Sequence, residues 1–100
     1  MLISAINTIE IDAAPGRVGE VCQKLPQIIR TLLSTTRCVG YAVTDNRMTN
    51  NSWIVSGYWK SESQMREHFE HPELAGFMEM LTSGMAKRIN FNSFVVGLDE

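Results

Sequence analysis

His68 and His71 stand three residues apart on a stretch that also carries Trp59, Met65, Phe69, Phe77 and Met78. Two imidazoles at that spacing share a helix face, which raises the question of a metal ion. A metal needs a further ligand at the same point, and the nearest carboxylates, Glu67 and Glu70, read as solvated. No metal is therefore expected. His71 directly precedes Pro72, which places it at a helix end beside terminal carbonyls. His68 lies next to the apolar stripe. An imidazole there acts as a general base or hydrogen-bonds a substrate oxygen; the other reading is a core histidine bonded to a backbone carbonyl.

Asn7 is the second residue of interest, because it is the one polar side chain on the more apolar face of an N-terminal strand. It reads either as a strand amide paired to a neighbouring side chain or as a pocket amide that orients an oxygen intermediate. Trp53, Tyr58 and Trp59 have the character of core or dimer-interface aromatics. Met65, Met78, Met80 and Met85 are flexible filler for a core, or for a pocket that takes a flat apolar ligand. No Walker loop, GxGxxG, GxSxG or HExxH motif occurs.

The elements that must position these residues follow from periodicity. Leu2 to Ile11 alternates as a strand, with Ile3, Ala5, Asn7, Ile9 and Ile11 on one face. Asp12 to Gly16 breaks it. Val18, Val21, Leu25, Ile28 and Leu32 recur at helical spacing through Ser34, and Pro26 inside this segment predicts a kink or two shorter helices. Cys38 to Thr44 and Trp53 to Trp59 read as strands joined by a long turn-rich loop over Asp45 to Ser52. Ser61 and Gln64 form a capping box that opens a helix ending at His71-Pro72. A second helical stretch carries Leu74, Phe77, Met78, Leu81 and Met85, ending near Gly84 to Lys87, and Arg88 to Gly97 is the last strand.

That order predicts an α+β ferredoxin-like βαββαβ sandwich with an antiparallel sheet, as one domain over residues 1–100. Helices cover one sheet face in such a fold. The other face carries apolar residues on several strands, so a second copy is expected to cover it, giving a homodimer. The chain has 44% hydrophobic residues and a net charge of −2, which gives no basic footprint for nucleic acid. No apolar run approaches the roughly 18–20 residues that span a bilayer, and the first residues lack the basic start of a signal peptide. Cys22 and Cys38 have no metal-ligand spacing and read as reduced thiols of a cytoplasmic protein.

The run from Trp59 to Leu74, WKSESQMREHFEHPEL, resembles the antibiotic biosynthesis monooxygenase domain family. An aromatic ends the third strand, a Ser-rich helix start follows, a His comes nine residues after the aromatic, and a Pro precedes an apolar helix. Asn7 on the first strand, Pro15-Gly16 and Gly40-Tyr41 fit the same layout over nearly the whole chain. The resemblance implies a dimeric α+β barrel with a pocket between helices and sheet in each subunit. It implies oxidation of a phenol or quinol by molecular oxygen, without flavin, heme or metal. His68 would be the base or oxygen-anchoring group, Asn7 an amide donor to the oxygenated intermediate, and Trp59 a wall or donor. Met65, Phe69, Leu74, Phe77, Met78 and Leu81 would line the pocket.

Two related branches fit less well. In a heme-degrading branch the family Trp falls on His68 and the axial ligand falls near Met78, with no His there. A branch that isomerises small phosphorylated molecules would call for a basic cluster that the sequence does not show. The alternative to an enzyme is a non-catalytic dimeric domain that binds a small molecule in the same fold.

Overall fold

The structure, a computed structural model, describes residues 3–45 and 51–96. Four strands and three helices follow one another in the order strand, helix, strand, strand, two helices, strand. Strand β1 (Ala5–Ala13) buries its odd-numbered side chains and leaves the even ones half-buried, which is the period-two pattern of the sequence. It runs two residues beyond the expected end at Ile11. Ala13 is small enough to be buried, and a register irregularity at Asp12/Ala13 carries its pairing on to Ala86.

Helix α1 (Val18–Thr35) turns Val21, Leu25, Ile28 and Leu32 onto the sheet. Contrary to the expectation of two shorter helices, it is continuous through Pro26. The carbonyl that Pro26 cannot bond belongs to Cys22, and both residues are exposed, so water is at hand for the unpaired group. Strands β2 (Gly40–Asp45) and β3 (Ser52–Trp59) pair antiparallel; most of the loop between them, 46–50, lies outside the described residues.

Helix α2 (Glu62–His68) starts at Ser61, whose Oγ accepts from the Gln64 backbone nitrogen at 3.2 Å. The reciprocal half of the capping box is absent, since Gln64 Oε1 is buried without a partner. A 3-10 turn (Pro72–Leu74) leads into helix α3 (Ala75–Thr82), which ends before Gly84, a glycine with φ of 81°. Strand β4 (Ala86–Val95) begins two residues earlier than expected; the expected end at Gly97 lies outside the described residues.

The sheet order is β2-β3-β1-β4, antiparallel throughout, which is the ferredoxin-like sandwich. Residues opposite one another in the ladders share a face. One row of the helix-covered face reads Tyr41, Gly57, Asn7, Ser93. The main core packs Ile9, Ile11 and Val55 under α1 and α3, through Leu25, Ile28, Phe77 and Met80. A smaller cluster of Ala5, Trp59 and Met65, with Cys38 and Tyr41 against it, lies under α2. On the opposite face Tyr58, Ile6 and Phe94 form one row, and Phe94 is 55% exposed. Among the described residues no helix is long and apolar enough to cross a membrane, and both cysteines are free thiols.

Candidate active site

Asn7 is 2% exposed on a face otherwise filled by apolar side chains. A buried amide needs partners. Its Oδ1 accepts from Trp59 Nε1 at 2.7 Å. Since an indole nitrogen only donates, this bond decides which end of the amide is oxygen and turns Nδ2 the other way. Trp59 reaches Asn7 diagonally: Ala5 lies opposite Trp59, and Gly57 lies opposite Asn7. Gly57 leaves the room. A Cβ there would stand 2.4 Å from Asn7 Oδ1 and 3.0 Å from the Tyr41 ring.

Tyr41, on the far side of Gly57, comes next in the row. Its hydroxyl is hydrogen-bonded to His68 Nε2. Burial pushes the Tyr41 hydroxyl well above the usual phenol range; the Cys38 thiol adds to this and the polar side chain of the nearby Asn7 opposes it. His68, 2% exposed, projects from the same face of α2 as Met65 and packs on Trp59 with ring centroids 4.6 Å apart. Burial lowers its pKa to about 4, with repulsion from His71 as a second cause, so it is neutral at pH 7. Two buried hydrogen-bonded pairs, Trp59–Asn7 and Tyr41–His68, thus lie side by side, joined by the packing of Trp59 on His68.

In front of Asn7 lies a cavity of about 470 Å³, between α2, the 3-10 turn and α3 on one side and β1 and β4 on the other. That is within the roughly 300–1,000 Å³ of small-molecule sites. Of the residues expected from the sequence to form the site, Asn7, Phe69, Leu74 and Met78 line it. Phe69 and Met78 are both nearly half exposed, as is Phe91, which also lines it. Trp59 and His68 do not line it: Trp59 holds Asn7 from behind, and His68 packs on Trp59. Met65 belongs to the small cluster with Trp59, Phe77 belongs to the main core, and Leu81 is half-buried away from the cavity.

Two participants carry no role in the sequence reading: Tyr41, which the cross-strand row with Asn7 brings to His68, and Gly57, which lies inside the third strand. His71, expected at a helix end, also lines the cavity. Its Nε2 donates to Thr35 Oγ1 at 2.8 Å, because the Thr35 proton already goes to the Thr31 carbonyl at 2.6 Å. The pairing of β2 with β3 is the signal that could have found Tyr41 and Gly57; nothing in the sequence shows that α1 ends beside His71.

Comparison with known proteins agrees with this fold. The family model described as Antibiotic biosynthesis monooxygenase matches residues 4–80. None of the curated protein sequences compared matches the chain. Among solved structures, a candidate antibiotic biosynthesis monooxygenase from Deinococcus radiodurans superposes with a TM-score of 0.82 at 14% identity, covering 96% of this chain and 95% of that one. SnoaB, a cofactor-independent oxygenase from Streptomyces nogalater solved as an Asn-to-Ala variant, gives a TM-score of 0.78 at 10% identity over 98% and 97% of the two chains. A conserved protein from Methanosarcina mazei gives 0.76 at 18% identity over 93% of each. At such identities these likenesses speak for the fold.

Proposed function

The chain belongs to the antibiotic biosynthesis monooxygenase family, and on that premise we propose that it oxidises an aromatic phenol or quinol with molecular oxygen, using no cofactor. The family and the structural likeness to an oxygenase support a monooxygenase in general. The observation that carries the finer reading is the Asn7 amide, oriented by Trp59 and lining a cavity whose other walls include Phe69, Leu74, Met78 and Phe91.

Such a substrate supplies its own electrons. Once its hydroxyl proton has passed to water, the phenolate carries carbanion character at a ring carbon and reduces dioxygen there. The substrate loses two hydrogens, one from that carbon and one from the hydroxyl, and gains one oxygen at the carbon to become a quinone; the second oxygen leaves with the two hydrogens as water. The protein's part is to hold the ring system and stabilise the negative oxygen that develops, which an amide N–H fixed beforehand does without reorganising. In this reading Asn7 is the catalytic residue. Trp59 orients it directly. His68 acts through Trp59, on which it packs, as a positioning group; with a pKa of about 4 it holds a substrate proton poorly at pH 7.

The test is isotope-labelled dioxygen with an anthrone or naphthol substrate, followed by mass spectrometry. One labelled oxygen in the product is the expected result. An unlabelled product, or none, overturns the oxygenase reading and favours a binding domain of the same fold.

The working unit in this reading is a cytoplasmic homodimer. The row of Tyr58, Ile6 and Phe94, with exposed Ile54 two rows further along the same face, supports a second copy on the open sheet face. Sedimentation equilibrium at micromolar concentration should give twice the chain mass; a monomer there would remove the proposal.

A further inference from the structure

Behind the large cavity two buried atoms have no partner, His68 Nδ1, on the far side of the imidazole from Tyr41, and Gln64 Oε1. Both residues lie on α2, one turn apart. Both line a second, smaller cavity of about 160 Å³, which Thr35, Thr36 and Arg37 at the end of α1 close from the other side. Tyr41, which holds His68 Nε2, is not part of this wall.

The polarity of the two atoms follows from the Tyr41 bond. The Tyr41 hydroxyl has His68 Nε2 as its one hydrogen-bond partner among the described residues. Were it to accept there, its own proton would be left without an acceptor, so it donates to Nε2. A neutral imidazole that accepts at Nε2 carries its proton on Nδ1. The pair facing the small cavity is then one donor, Nδ1–H, and one acceptor, Gln64 Oε1. Buried polar atoms left this way are rare and unfavourable. A single water satisfies both, accepting from the imidazole and donating to the amide. The cavity has room for several, at about 30 Å³ each.

We propose that the small cavity between α2 and the end of α1 is a binding site for ordered water, anchored by His68 Nδ1–H and Gln64 Oε1, which connects the buried Tyr41–His68 pair to solvent by a route other than the large cavity. The consequence is functional: the His68 proton exchanges with solvent while a ligand occupies the large cavity. This inference stands for an oxygenase and for a binding domain alike.

Long-range proton–nitrogen spectra of histidine-labelled protein at neutral pH test it. The expected result is the Nδ1–H tautomer of His68, with a cross-peak from that proton to water. Gln64→Leu should abolish the cross-peak, and Gln64→Glu, which keeps an acceptor, should restore it. Should the leucine variant not fold, the wild-type spectrum still decides. An Nε2–H tautomer, an Nδ1–H without water contact, or a cross-peak unchanged in Gln64→Leu would each overturn the site.

Discussion

Trp59 Nε1 and Asn7 Oδ1 are 2.7 Å apart, joined diagonally across β3 and β1, and both side chains are almost wholly buried. The bond makes the amide a directional device, because it removes the freedom to exchange oxygen for nitrogen. Trp59→Phe keeps most of the ring volume and deletes the donor. Oδ1 is then a buried acceptor without a partner, so stability should fall by about 1–3 kcal/mol in urea unfolding. Oxygen consumption should fall further than stability explains, because the amide is no longer held one way round. Unchanged kinetics in a folded variant would show that Trp59 does not orient Asn7 for any chemistry.

Gly57 offers a test from the backbone side. The 2.4 Å between an added Cβ and Asn7 Oδ1 forces the amide to move, and the 3.0 Å to the Tyr41 ring blocks the simplest escape. Gly57→Ala should therefore cost about 1–3 kcal/mol as an overpacked core does. It should also disturb the contact of Tyr41 with His68. Tyrosine fluorescence and urea midpoints check both effects, and a variant as stable as the parent would mean that the row is looser than described.

The buried histidine makes stability depend on pH with a definite sign. Burial first, and His71 second, lower the His68 pKa from 6.5 to about 4. Between those values the unfolded chain binds a proton that the folded chain does not. This contribution to stability is whole above about pH 6.5 and is lost progressively as the pH falls towards 4. Urea midpoints measured across that range should fall less steeply for His68→Gln than for the parent. Equal slopes would mean that His68 is solvated or already charged in the folded state.

Much of the fold was legible because the strands obey a simple alternation. In β1 every odd side chain from Ala5 to Ala13 is buried, and the one polar member, Asn7, marked itself by breaking an apolar row. Helix ends were less legible. Pro26 argued for interruption, but an exposed position let the helix run on through it. The site divided along the same line. Asn7 stood out by strand alternation, while Phe69, Leu74 and Met78 came as pocket residues from the family resemblance; all four line the cavity. Tyr41 depends on strand register, and His71 depends on where the last turn of α1 meets the end of α2. Those are relations between distant segments, and neighbouring residues in the sequence carry no trace of them.

Oxygen uptake tests the central claim most directly. Purified protein is offered a panel of anthrols and naphthohydroquinones in an oxygen electrode, beside the Asn7→Ala variant. At least one substrate should raise uptake clearly above the buffer rate, and removing the amide should lower that rate by about a hundredfold or more, as loss of an oxyanion donor does. Uptake at the buffer rate with every member of the panel, or an equal rate in Asn7→Ala, would contradict a cofactor-independent oxygenase built around Asn7.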